Sequence, residues 1–147
     1  MRKGYPELLL LDVNVLVALA WPNHQFHRIA TQRLERSRGR WATCAITQLG
    51  FIRLSSNPAV VGQARSPWEA ASLLALMTQD DRHLYVSSLP SPSGGKFLQD
   101  LERIHGSRQV TDSYLLTLAG QNQARLLTFD ARLASFIQAG ANIEVLA

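Results

Sequence analysis

Asp12, Asp112 and Asp130 are the residues whose type and setting point to chemistry. Asp12 and Asp130 directly follow the apolar runs Leu8-Leu9-Leu10-Leu11 and Leu126-Leu127-Thr128-Phe129, and Asp112 follows Thr111 at what reads as a helix start. Carboxylates brought within a few ångströms of one another repel, and hold protons unless a cation neutralises them, so three together suit magnesium or manganese. Such an ion acidifies a bound water and shields phosphodiester oxygens, and hydrolysis then needs no serine or cysteine nucleophile. Taken singly, each aspartate also fits a helix cap or a partner for the helix dipole. It is their expected convergence that favours a metal, and Asp12 is the hardest to explain otherwise, because an acid directly behind four leucines risks desolvation. Asp80, Asp81, Asp100 and Glu102 fall on polar helix ends or loops and read as solvated surface.

The elements that must position these acids follow from the apolar pattern. The four leucines are continuously apolar rather than alternating, as in a strand covered on both faces of a parallel sheet. Val13 to Ala20 predicts a short helix closed by Pro22, and Asn23 is placed to cap a second helix with Phe26, Ile29, Ala30 and Leu34 on one face. A strand around Trp41 to Cys44 and a helix from Ala45 to about Ser55 follow. Ser66 and Pro67 start a helix carrying Trp68 to Met77, and His83 to Val86 predicts another strand. The stretch from Leu89 to Gly95 resembles a linker, but too little chain flanks it for separate cores, and it reads as a surface loop. Phe97 to His105 predicts a helix, and Thr111 is placed to cap the next, with Asp112, Leu115, Leu116 and Ala119 on one face. A strand at Leu126 to Phe129, a helix marked by Leu133, Phe136 and Ile137, and a strand at Ile143 to Leu146 complete the alternation. The expected fold is a three-layer α/β/α sandwich with a mainly parallel, roughly five-stranded sheet, a single domain over 1–147 without internal repeats. Ligands of such folds bind beyond the carboxyl ends of the strands.

Composition narrows the partners. The chain is 46% hydrophobic and carries 15 Lys and Arg against 11 Asp and Glu, and its only lysines are Lys3 and Lys96. Its positive charge is therefore almost all guanidinium, which binds phosphate through paired hydrogen bonds and stacks on bases. Cys44 is the sole cysteine, which excludes an internal disulfide and suits a reducing compartment. Asp12 interrupts the first apolar run well short of the roughly 20 residues a membrane span needs, so the expectation is a cytoplasmic protein without membrane attachment.

Leu10-Leu11-Asp12-Val13-Asn14-Val15-Leu16-Val17-Ala18-Leu19 resembles the opening of PIN-domain ribonucleases of the VapC toxin type. The likeness continues through Ala42 to Leu54, then Val110-Thr111-Asp112-Ser113-Tyr114-Leu115-Leu116 and Leu127-Thr128-Phe129-Asp130, in the family's order over nearly the whole chain. Each block is short, and their correct spacing on an α/β pattern makes the resemblance strong. It implies the toxin component of a toxin–antitoxin pair: a Mg2+- or Mn2+-dependent endoribonuclease acting on structured RNA, with tRNA the expected substrate. The family's first, third and fourth acids fall on Asp12, Asp112 and Asp130 as metal ligands, with Asn14 or Thr128 orienting them. The resemblance further implies a homodimer and a VapB-like antitoxin whose tail occupies the acidic groove. Gln48 departs from the pattern: the family usually has glutamate there, and an amide carries no charge, although its carbonyl can still orient a water. Gln48 is kept as a member of the site; as a helix residue it also fits plain solvation.

The substitution leaves a second reading open, a weakly catalytic RNA- or partner-binding module of the same fold. A phosphatase or phospho-receiver using Asp12 as covalent nucleophile fits less well, since Asn14 stands where a second aspartate is wanted and no lysine is well placed. His24 and His27 lie at a spacing that could support a metal, but no neighbouring acid or cysteine completes a set, and they read as surface. Trp21, Trp41 and Trp68 adjoin predicted core elements and read as packing. Arg33, Arg36, Arg38 and Arg40 suit a phosphate backbone, an acidic partner or a solvated face equally.

Overall fold

The computed structural model describes residues 7–63, 65–104, 106–136 and 142–146. Five strands, β1 (Leu8–Leu11), β2 (Arg40–Cys44), β3 (His83–Val86), β4 (Arg125–Thr128) and β5 (Ile143–Val145), form one sheet in the order β3-β2-β1-β4-β5. Every pairing is parallel, with Leu10 opposite Ala42 on one side and Leu126 on the other. Seven α-helices join them: α1 (Val13–Ala20), α2 (His27–Arg36), α3 (Ala45–Ser55), α4 (Pro58–Val61), α5 (Pro67–Met77), α6 (Gly95–Asp100) and α7 (Val110–Gln121).

Why β1 tolerates no polar residue is plain from its two faces. Leu9 and Leu11, with Trp41 and Leu127, pack into a core shared with Val15, Leu16, Phe51 and Leu74 of α1, α3 and α5. Leu10, with Ala42, Cys44 and Leu126, packs into a second core against Leu115, Leu118 and Ala119 of α7. Fully burying one such leucine stabilises the fold by roughly 2–3 kcal/mol, and Leu9, Leu10 and Leu11 are at most 1% exposed. Strand order fixes where the active rim lies. The chain runs outward from β1 to β3, then returns to β1's other flank for β4, so the crevice where order reverses opens beyond the carboxyl ends of β1 and β4.

Local chemistry explains several boundaries. Ser66 and Glu69 form a reciprocal capping box, with Pro67 at the first helical position of α5. Gly39 has no alternative, because a Cβ there would sit 1.7 Å from the Glu7 carbonyl oxygen, against which the Arg40 amide hydrogen-bonds at 3.0 Å. Gly50 lets α3 lie against α1, since its Cβ would approach Val13 Cγ2 to 2.7 Å.

Several sequence expectations require correction. Asn23 does not cap α2, which begins at His27 without a side-chain cap; the Phe26 amide instead donates to His24 Nδ1. Thr111 lies inside α7, which starts at Val110, again uncapped by a side chain. The helix expected over Phe97 to His105 is split into α6 and a 3-10 turn at Leu101–Arg103, and His105 lies outside the described residues. The helix expected around Leu133 is a 3-10 segment, Ala131–Phe136, and Ile137 likewise lies outside the described residues. Trp68 is not packing but surface, 77% exposed, whereas Trp41 is buried. Trp21 is half-buried and donates to Ser55 Oγ.

Candidate active site

Asp12 is where β1 becomes α1. Its extended backbone makes it the helix cap, with Oδ1 accepting the Val13 amide at 2.7 Å, and its own amide donates to the Leu127 carbonyl across the crevice. The second oxygen, Oδ2, accepts the Thr128 hydroxyl at 2.7 Å, and Thr128 Oγ1 accepts the Asp130 amide at 3.1 Å. One hydroxyl at the end of β4 thus fixes the acid of β1 and the turn carrying the acid of β4. Asp12 is 5% exposed. Burial raises its pKa most, the hydrogen bonds from Thr128 and Val13 oppose that, and the charge of Asp130 adds to it.

Asp112 lies in the first turn of α7, half-buried, its pKa pushed up to about 6 by burial and then by the charges of Asp12 and Asp130. A helix N-terminus acts in the opposite sense, by less than about one pH unit, so burial and repulsion win. Asp130 behaves differently. Arg132 donates to it from its backbone amide at 3.0 Å and from its guanidinium at 3.1 and 3.2 Å, and these bonds hold the carboxyl below its ordinary range.

The structure therefore brings three acids from three elements into one electrostatic field. Among the described residues, however, no three His, Cys, Asp or Glu side chains close into a group that holds an ion as it stands. Asp130 is instead engaged by Arg132. The donor set itself is all oxygen and anionic, which suits a hard divalent cation rather than zinc.

Gln48, in the first turn of α3 beyond the end of β2, is tied not to an acid but to Thr43, whose Oγ1 accepts its Nε2 at 3.0 Å. Thr43 in turn lies 2.7 Å from His83 Nε2. Of the two residues expected to orient the acids, Thr128 does so, whereas Asn14 is exposed and bonds to none of them. Sequence reasoning missed Arg132, although its spacing two residues after Asp130 was a usable sign, and it missed the Thr43–His83 contact, which joins two strands and leaves no local mark.

The remaining candidates are structural. His24 and His27 serve the turn before α2, His27 Nδ1 meeting the Ala18 carbonyl at 2.8 Å. Arg33 is no phosphate tracker: it is buried, with Nε on Glu144 at 2.6 Å and Nη2 on Glu7 at 2.9 Å. Arg40 donates to the His83 carbonyl, and Arg36 and Arg38 are exposed. Asp80 accepts the indole N–H of Trp41 and Asp100 the hydroxyl of Thr117, so neither is simply solvated. Among the described residues no helix is long and apolar enough to cross a membrane.

Comparison with known proteins identifies the family and the fold. The PIN domain family model matches residues 9–137. The chain is 42% identical to Ribonuclease VapC39 of Mycobacterium tuberculosis over 140 residues, 93% of this chain and 98% of the relative. It is 39% identical to Ribonuclease VapC38 of the same organism, over 89% of this chain and 91% of that one. Two crystal structures share the fold at 14% identity and a TM-score of 0.64, each over 95% of this chain and 99% of the other: VapBC2 of Rickettsia felis bound to promoter DNA, and M. tuberculosis VapC20, a sarcin–ricin loop cleaving toxin.

Proposed function

Because the chain belongs to the PIN domain family, among its VapC-type ribonucleases, we propose that it is the toxin of a toxin–antitoxin pair, hydrolysing RNA phosphodiester bonds with Asp12, Asp112 and Asp130 as its metal-holding acids. The observation that carries the site assignment is the convergence of these three acids at the crevice, where burial and then the charges of Asp12 and Asp130 push the pKa of Asp112 up to about 6. Buried like charges of this kind persist where something other than stability is selected.

The donor set suits Mg2+ or Mn2+, and such an ion, when bound, supplies charge neutralisation and an acidified water. The chain's own residues do the rest. Thr128 holds Asp12 in one rotamer and Asp130 within reach of it. Arg132 covers Asp130 and, once displaced from it, offers a planar fork matched to a phosphate. The same match accounts for inhibition: a guanidinium delivered by a VapB-like antitoxin would pair with these carboxylates as Arg132 now does. Structured RNA, with tRNA foremost, completes the reading, supported by the likeness to VapC ribonucleases and by the Arg132 guanidinium beside the acids; single-stranded loops offer a bendable backbone. A homodimer is supported by Leu49, Trp68 and Leu76, large apolar side chains exposed on α3 and α5. A single domain over 1–147 and a cytoplasmic location belong to the same reading.

The test is cleavage of total RNA by the wild type and by Asp12→Asn, each with Mg2+, Mn2+ or chelator. Discrete cuts lost on chelation and on substitution are expected. Intact RNA with binding retained would replace the nuclease by the binding module that Gln48 left open.

A further inference from the structure

His83, Thr43 and Gln48 form a chain of hydrogen bonds leading from β3 across β2 to α3. Its direction can be worked out atom by atom. Burial and then the charge of Arg40 lower the pKa of His83, which favours the neutral ring with one N–H. Thr43 Oγ1 accepts the Gln48 side-chain amide at 3.0 Å, which leaves its own hydroxyl proton for His83 Nε2 at 2.7 Å. Having spent its only proton, Thr43 Oγ1 can do nothing but accept from its other neighbour. Gln48 therefore turns its NH2 group to Thr43, as the 3.0 Å Nε2 contact has it, and its carbonyl oxygen to the opposite side. An amide's two ends are nearly isosteric and only such a network tells them apart.

We propose that His83, acting through the buried hydroxyl of Thr43, is a positioning residue that keeps the Gln48 amide with its carbonyl oxygen turned away from Thr43 beyond the carboxyl end of β2, so that this chain presents an acceptor on that rim without a charge. The inference rests on the nuclease reading of that rim. A carboxylate at position 48 would need no such device, because its two oxygens are equivalent acceptors, so the device matters only while residue 48 is an amide.

That dependence supplies the test. His83→Phe keeps a ring against Trp41, whose centroid lies 4.6 Å away, and Thr43→Val is close to isosteric. Each is made in the wild type and in the Gln48→Glu protein, and Thr43→Ser is added as the variant that restores the hydroxyl. In the wild-type background His83→Phe and Thr43→Val are expected to lower kcat by about tenfold or more with KM little changed, as loss of an orienting partner does. In the Gln48→Glu background the same changes are expected to cost less than about twofold, and Thr43→Ser to retain activity. In 15N spectra the Gln48 side-chain amide, shielded from exchange in the wild type, should become exchange-averaged in both variants and stay shielded in Thr43→Ser. Equal losses in both backgrounds, or an unchanged Gln48 amide signal, would overturn the proposal. The spectroscopic arm needs no turnover: should the wild type leave all RNA intact, the nuclease reading fails while the orientation of Gln48 is still decided.

Discussion

At the scale of single residues, the acidic rim is a place where the fold works against itself. Asp112 has a folded pKa of about 6 against an ordinary value of 3.8, so between those values the folded state binds more protons than the unfolded. Stability from this group is complete below about pH 4 and is lost as pH rises through 6. In metal-free protein, Asp112→Asn should flatten that slope and raise Tm at pH 7.5, by about 2–4 °C for each kcal/mol of repulsion removed, while cleavage falls by about 100-fold. A thermal melt series from pH 4 to 8 with a parallel RNA assay checks both; a variant no more stable than the wild type at pH 7.5 would show that the three acids do not repel. Arg132 competes with any cation for Asp130. Arg132→Gln should therefore tighten Mn2+ binding roughly two- to fivefold by calorimetry, the modest gain expected on removing an exposed ion pair, with the largest effect at low salt.

Elements set how exactly those residues meet. Helix α3 reaches α1 only because Gly50 lacks a side chain over Val13. Gly50→Ala should cost about 1–3 kcal/mol by overpacking, since neither Val13 methyl can swing far. The double change Gly50→Ala with Val13→Ala should recover part of it, and denaturant unfolding of the three variants reads the coupling. The strands were legible beforehand, because β1 and β4 are buried on both faces and so are written as unbroken apolar runs followed at once by Asp12 and, after Phe129, by Asp130. Helix ends without a side-chain cap were not: α2 and α7 begin at residues that announce nothing, and Asn23 and Thr111, good cap residues by type, serve elsewhere. Trp68 was misread for a related reason, since periodicity finds an apolar face without saying whether this chain or another one covers it. Of the site, the acids could be read from position, whereas Thr43 and His83 could not, being neighbours only through the pairing of β2 with β3.

For the molecule as a whole, one buried guanidinium ties distant parts together. Arg33 of α2 bonds Glu144 on β5 and Glu7 just ahead of β1, and Arg125 at the head of β4 reaches Glu144 at 3.2 Å. Removing one member of a buried pair strands the other charges. Arg33→Met is expected to cost about 2–4 kcal/mol, below the value for a fully enclosed pair because the Glu7 and Glu144 side chains keep 33% and 26% of their surface. Urea unfolding measures it, and a loss under 1 kcal/mol would mean that Arg125 already suffices. The order of strands also has a consequence in time. Asp12 and Thr128 are 116 positions apart, and nothing in β1, β2 or β3 can bring them together. Closing that span carries the largest loop-closure entropy of any pairing in the sheet, so pulse-labelled hydrogen exchange during refolding is expected to protect β2 and β3 beside β1 before β4. Asp112 and Asp130 belong to the part of the chain that docks on that far edge, so a chain whose final third has not yet docked holds Asp12 without its two acidic neighbours.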